Sequence, residues 1–449
     1  MPYRASNRYL EGPYAPVTSE RTETRLGVRG RIPPQLNGLY ARIGPNPLHV
    51  DNPAVYHWFI GDGMVHGIRL RDGSALWYRN RWIGTDSVNR RLGRPVAPGL
   101  RHGVSDVVNT NVIGHAGRIW ALVEAGALPV QLDAQLATER HGYFDAPLLR
   151  AYSAHPHRDP DSGELHAVCY DGLERRQVRH VVVDRAGAVL RDLAVPVRHG
   201  PMIHDCALTK HYVVIFDLPV TFSMGALLRG EGLPYRWNAA HIPRVGLLPR
   251  AGAPGELRWL EIEPCYVFHA GNACELDDGS VIVDVITYPR QLARSRGGLD
   301  DSRTRLERWQ LAPESCAVRR QTLSEERQEF PRFDERRATH PYRYLYTVGF
   351  DPQMRAGQPL YRHDLRTGAL ARHAFGAAQV PSEVVFVPRG PESDEDDGWL
   401  LGYVTDLATD RSALVILDAA LPQDEPQAVI ELPVRVPLGF HGNWIADQS

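Results

Sequence analysis

Four histidines, each in a different short motif, are the residues of this chain best suited to chemistry. They are His155 in Ser153-Ala154-His155-Pro156-His157, His204 in Met202-Ile203-His204-Asp205, His269 in Val267-Phe268-His269-Ala270, and His441 in Gly439-Phe440-His441-Gly442-Asn443-Trp444. Neutral imidazole is the commonest metal ligand, and its nitrogen suits iron, zinc, copper and nickel. The spacing matches neither His-Glu-x-x-His nor a zinc finger, so residue type alone leaves those four metals open. Four imidazoles bring no negative charge to offset a metal cation. Acidic partners accepting from the outer ring N–H groups are therefore expected behind them. The chain holds 19 histidines, and most must be ordinary surface or core residues. These four stand out because each sits beside small, apolar or aromatic residues at a predicted strand end.

Ligands scattered over most of a chain can meet only if the fold returns distant segments to one point. Short β-branched runs recur throughout, as in Val181-Val182-Val183, Tyr212-Val213-Val214-Ile215-Phe216, Val384-Val385-Phe386-Val387 and Ala413-Leu414-Val415-Ile416-Leu417. Turn signals such as Arg71-Asp72-Gly73 and Asp184-Arg185-Ala186-Gly187 separate them, which is the texture of antiparallel hairpins. An all-β chain of 449 residues must manage its edge strands, and a closed propeller extends most easily to that length. No repeat and no linker divides the chain. One domain over residues 1–449 is expected, with an extended lead-in over about residues 1–30. Helical windows are scarce, the best being residues 222–228 and 300–309. The acidic stretch 391–397 reads as a surface loop within a hairpin.

A formal charge of −2 lacks the basic footprint of a dedicated nucleic-acid binder. The five cysteines are odd in number and form no Cys-x-x-Cys, which fits a reducing compartment better than a disulfide framework. The N-terminal residues have no apolar stretch like a signal peptide's, and no run approaches the roughly 18 apolar residues of a membrane span. A cytoplasmic location is expected. The apolar segment 217–228 fits either a patch dipping into a membrane interface or burial within the fold.

Several longer motifs make the reading specific. They are Asn37-Gly38-Leu39-Tyr40-Ala41-Arg42-Ile43-Gly44-Pro45-Asn46-Pro47, Trp58-Phe59-Ile60-Gly61-Asp62-Gly63-Met64-Val65-His66, Tyr78-Arg79-Asn80-Arg81-Trp82 and Asn109-Thr110-Asn111-Val112. With the four histidine motifs in the same order, they resemble the carotenoid cleavage oxygenase family from about residue 36 to residue 444. The resemblance implies a seven-bladed β-propeller, with a dome of loops and helices covering the axial face that bears the iron. It implies one iron(II) per chain on His155, His204, His269 and His441, O2 as co-substrate, and no organic cofactor. Glu124, Glu329 and Glu383 match the acidic positions behind the ligands. Glu124 and Glu383 also abut apolar runs, where a carboxylate without a donor would be costly. Phe59, Phe268 and Phe440 match positions that line a substrate tunnel, with core packing as the plainer reading of each.

The expected reaction is oxidative cleavage of a carbon–carbon double bond into two carbonyl products. Stilbene-cleaving members carry a lysine just before the first of these glutamates, and a tyrosine upstream, to bind a phenol. Here that lysine position is Val123, and no tyrosine or lysine lies between Tyr78 and Tyr143. This favours a lipophilic polyene, a carotenoid or apocarotenoid. A stilbenoid- or phenylpropanoid-cleaving dioxygenase is the alternative within the family, and a retinoid isomerohydrolase shares the fold. A non-catalytic propeller used for binding is the alternative of another class. No obligate protein partner is inferred.

Overall fold

The β-branched runs form strands, and tight turns join them into hairpins. In the computed structural model, described here for residues 7–142, 144, 150–293, 303–351 and 355–447, Ala116 and Gly117 link two strands with positive φ of 51° and 69°. Asp72 and Gly73 do the same at 49° and 72°. Two consecutive left-handed residues match the right-handed twist of paired strands, and in each turn a glycine supplies the second of them.

Seven antiparallel sheets follow one another along the chain as the blades of a β-propeller. Blade one holds Asn111–His115, Arg118–Leu122, Val130–Leu132 and Thr138–His141. Blade two holds His157–Arg158, Leu165–Asp171, Glu174–Val183 and Val189–Pro196. Blade three holds Cys206–Leu208, Tyr212–Asp217, Arg244–Pro249 and Arg258–Glu261. Blade four holds Tyr266–Glu275, Val281–Tyr288, Arg305–Ala312 and Ala317–Ser324. Blade five holds Gln328–Arg332, Tyr344–Gly349, Leu360–Asp364 and Ala369–His373. Blade six is built around Gly398–Asp406, Arg411–Asp418 and Ala428–Glu431, with Gln379–Pro381 and Val385–Pro388 on its inner side. Blade seven joins the C-terminal strand Gly442–Ala446 to Gly38–Pro45, Gly63–Arg71 and Ser74–Trp82.

Both ends of the chain close the ring. Gly442–Ala446 pairs with Gly38–Pro45, and Gly27–Gly30 pairs with Ala428–Glu431 of blade six. Residues 21–23 add an outer strand to blade seven, so the N-terminal stretch contributes two short strands, 21–23 and 27–30. Apolar clusters fill the spaces between neighbouring blades. Leu39, Ala41 and Val65 of blade seven meet Val112 and Val130 of blade one, and Ile113 and Trp120 meet Val181 of blade two. Burial of each such side chain contributes about 1.5–3 kcal/mol, so the inter-blade seams hold the ring rigid.

Two local expectations need correction. The helix expected over 300–309 is replaced, in its described part, by the strand Arg305–Ala312. Leu306, Trp309 and Leu311 are buried there between two pairing partners, so sheet pairing overrides a sequence that is locally ambiguous. His269 lies inside the strand Tyr266–Glu275 rather than at its end, at a point where the register slips between Val267 and Ala270. Such an irregularity re-aims a side chain. Of the two α-helices among the described residues, Met224–Leu228 falls in the expected window and Asp86–Arg91 does not. The latter is nucleated by Thr85, whose hydroxyl accepts from Val88 N–H. No helix among the described residues is long and apolar enough to cross a membrane.

Candidate metal centre and tunnel

The inner ends of the blades bring the four histidines together. His155 and His204 each lie two residues before an inner strand, and His441 lies one residue before the C-terminal strand. The Nε2 atom of His204 is 3.1 Å from that of His155 and 3.2 Å from that of His269. The His441 ring completes the cluster, 4.4 Å from the His155 ring and 4.8 Å from the His269 ring, centroid to centroid. One ligand atom from each histidine lies within 4.8 Å of the other three. Four imidazole nitrogens converging on one point suit a first-row transition metal.

Three of the rings turn their other nitrogen to a carboxylate. His204 Nδ1 meets Glu124 Oε2 at 2.7 Å, His269 Nδ1 meets Glu329 Oε2 at 2.6 Å, and His441 Nδ1 meets Glu383 Oε1 at 3.0 Å. A carboxylate at Nδ1 fixes the tautomer that leaves Nε2 free to bind metal. The carboxylates are themselves held. Tyr288 donates to Glu329 Oε1 at 2.7 Å, and Phe330 N–H donates to its other oxygen. Gly442 N–H donates to Glu383 Oε2 at 2.9 Å. Burial pushes the Glu383 carboxyl up, but Arg332, His441 and Gly442 outweigh it and bring it down to about 2. Burial likewise holds His155 and His441 below the ordinary imidazole range, in the neutral form a ligand needs. For His269, burial is outweighed by Glu329, and its pKa rises. Phe330 sits at φ 57°, a conformation costing roughly 1–3 kcal/mol, with its ring 5.3 Å from that of His269. Glu124, His155, His204, His269, Glu329, Glu383 and His441 each lie in, or within two residues of, a strand of a different blade.

Asp205 adds a tie that the sequence reading did not identify. One of its oxygens accepts from His157 Nε2 at 2.8 Å and from Cys206 N–H, and the other accepts from Ala270 N–H at 2.8 Å. It thereby joins segments next to His155, His204 and His269. A carboxylate beside an apolar strand, needing donors, was the signal that could have found it. Tyr288 and Arg332 carried no such signal, because they reach their glutamates only across blades.

Comparison with known proteins agrees with this geometry. The family model for Retinal pigment epithelial membrane protein matches residues 14–446. A Mycobacterium tuberculosis protein named carotenoid cleavage oxygenase is 40% identical, over 98% of both chains. This chain belongs to the carotenoid cleavage oxygenase family. A Crocus sativus carotenoid 9,10(9',10')-cleavage dioxygenase is 31% identical over 98% of this chain and 89% of its own. Among solved structures, Pseudomonas brassicacearum lignostilbene dioxygenase superposes with a TM-score of 0.88 at 26% identity, covering 100% of both chains. A Synechocystis apocarotenoid oxygenase variant gives 0.86 at 26% identity, covering 98% of each.

In this carotenoid cleavage oxygenase family member, two cavities of opposite character reach the histidines. One, of 590 Å³, is lined by Phe59, Val123, Phe268 and Phe440 together with His204, His269 and His441. The phenylalanines interlock edge to face, Phe59 with Phe440 at 5.6 Å and with Phe268 at 6.3 Å. Phe268 and Phe440 are buried, and both also face the cavity. The volume falls in the usual ligand-site range of about 300–1,000 Å³. The other cavity, of 470 Å³, is lined by polar groups including His157, Arg158, Asp205, Arg332 and Asn443, and touches His155, His269 and His441. Segment 217–228 divides between the two expectations for it. Leu218, Val220 and Ala226 are buried, whereas Met224, Leu227 and Leu228 are exposed, Leu228 by 80%.

Proposed function

We propose that this protein is an iron(II) dioxygenase cleaving one double bond of a carotenoid or apocarotenoid with O2. The observation that carries the reading is the convergence of four imidazole Nε2 atoms beside an apolar, aromatic cavity. His155, His204, His269 and His441 hold the ion, and Glu124, Glu329 and Glu383 orient three of the rings. An iron(II) held there would supply electron density to O2. The chain's own work is positional. Phe59, Phe268 and Phe440 grip a flat polyene by its faces, hold one double bond beside the histidines and exclude water. No protein acid or base need reach the substrate.

The substrate class rests on Val123 and on the names of the relatives. An apolar side chain where stilbene cleavers place a lysine cannot hold a phenolate. The structural likeness to a lignostilbene dioxygenase keeps a stilbenoid as the second reading. The exposed side chains of Met224, Leu227 and Leu228 lie beside the tunnel, since Leu227 also lines it. They would let the mouth rest on a lipid surface and draw the polyene from it. The test is incubation of iron-loaded protein with β-carotene, apocarotenals, resveratrol and isoeugenol under air, with the aldehydes identified. Cleavage of a polyene in preference to both phenolic substrates is expected, and the reverse preference overturns the substrate class.

A further inference from the structure

Among the phenols that line the apolar tunnel, that of Tyr235 has no assigned work. Tyr235 lies in the strand Tyr235–Trp237, opposite Phe222 in a two-stranded sheet outside the seven blades. It is 5% exposed and lines the tunnel. The Tyr170 and Phe222 rings meet its ring at 5.7 Å and 5.9 Å, both near perpendicular, and fix its plane. Its hydroxyl has no hydrogen-bond partner among the described residues. The neighbouring phenols are committed: Tyr288 donates to Glu329, Tyr266 donates to the Met202 carbonyl at 3.0 Å, and Tyr170 faces Glu124. The Tyr40, Tyr56, Tyr152 and Tyr403 hydroxyls are also without partners, but they are sealed inside the protein and line neither cavity at the histidines. The Tyr235 hydroxyl opens onto the cavity rather than being sealed inside the protein, and a tunnel ligand carrying an acceptor can pair with it. Burial, and after it the charge of Glu124, raises the Tyr235 pKa, so the phenol keeps its proton and donates. Nearby walls are apolar, with Leu173, Phe222 and Leu233 lining the same stretch. A donor among such walls can orient a ligand by its oxygen.

We propose that the Tyr235 hydroxyl anchors an oxygen atom of the substrate, so that the tunnel selects a polyene bearing a carbonyl or hydroxyl over a pure hydrocarbon. This rests on reading the apolar cavity as the substrate tunnel. The experiment measures binding of an apocarotenal, and of a hydrocarbon polyene of matched length, to metal-free protein and to its Tyr235→Phe variant. Quenching of tryptophan fluorescence gives the affinity, and the visible absorption of the bound aldehyde reports hydrogen bonding at its carbonyl. Wild-type protein should bind the aldehyde more tightly and shift its absorption to longer wavelength. Tyr235→Phe should lose about 2- to 10-fold in aldehyde affinity and abolish the shift, leaving hydrocarbon binding unchanged. Equal changes for both ligands, or an unchanged aldehyde spectrum in the variant, overturn the assignment. If the variant does not fold, the same spectral shift and preference in wild-type protein decide the question, and their absence overturns it. Because binding is read without metal, failure of iron-loaded protein to cleave either polyene would overturn the proposed reaction separately.

Discussion

Glu124, Glu329 and Glu383 each meet an imidazole Nδ1 from another blade, an arrangement that suits the tautomer presenting Nε2. Glu383 is the most constrained, with His441 Nδ1, Gly442 N–H and Arg332 around it. Glu383→Gln keeps the size but removes the charge. It should weaken iron binding by about 10–100-fold without unfolding the chain, as measured by metal competition and circular dichroism. Unchanged iron affinity would remove the role assigned to Glu383. Val123 supports a second expectation at this scale. A phenol bound there forfeits a charge-assisted hydrogen bond worth about 1.5–3 kcal/mol. That is about one to two decades in rate. Purified enzyme should therefore cleave an apocarotenal well and resveratrol slowly, by kcat/KM. The four histidines stood out by their local motifs, and Glu124, Glu329 and Glu383 by the family positions they match; the structure brings all seven together. The contacts of Tyr288, Arg332 and Asp205 were not legible, since they depend on which strands lie side by side.

At the scale of elements, the loop carrying His441 is clamped to the strand Gly38–Pro45. Phe440 N–H donates to the Ile43 carbonyl at 3.0 Å, Ile43 N–H donates to the His441 carbonyl at 3.1 Å, and Arg42 Nε donates to the Phe440 carbonyl at 3.3 Å. Gly44 and Gly439 let the two backbones touch, since a Cβ on Gly44 would lie 2.4 Å from the Gly439 Cα. This explains why the Arg42-Ile43-Gly44 motif stands so far in sequence from the histidine it positions. Gly44→Ala should push the His441 loop away. The expected outcome is a loss of about 1–3 kcal/mol in stability, seen as a lower Tm, together with weaker iron binding. The strands themselves were readable from β-branched runs and turn residues. The strand Arg305–Ala312 and the bulge at His269 were not, because pairing partners rather than local pattern decide them.

At the scale of the molecule, the seven-blade ring makes one centre out of residues spread from 124 to 441. A closed propeller was expected, but the strand pairs that close it were not legible, because nothing local shows that residues 27–30 pair with 428–431, or 38–45 with 442–446. Deleting the first 30 residues would strip outer strands from blades six and seven and leave two sheet edges unpaired. The truncated chain should melt at a lower temperature and aggregate on heating, as followed by calorimetry and light scattering. An unchanged melting profile would mean that these strands do not help close the ring. The most direct test of the whole account is product identification from an apocarotenal under air, using protein loaded with one iron per chain and His204→Ala beside it. The account predicts two carbonyl products from the loaded wild type, with iron and turnover both largely lost in the variant. Full iron content and full turnover in His204→Ala, or no cleavage by the loaded wild type, would contradict it.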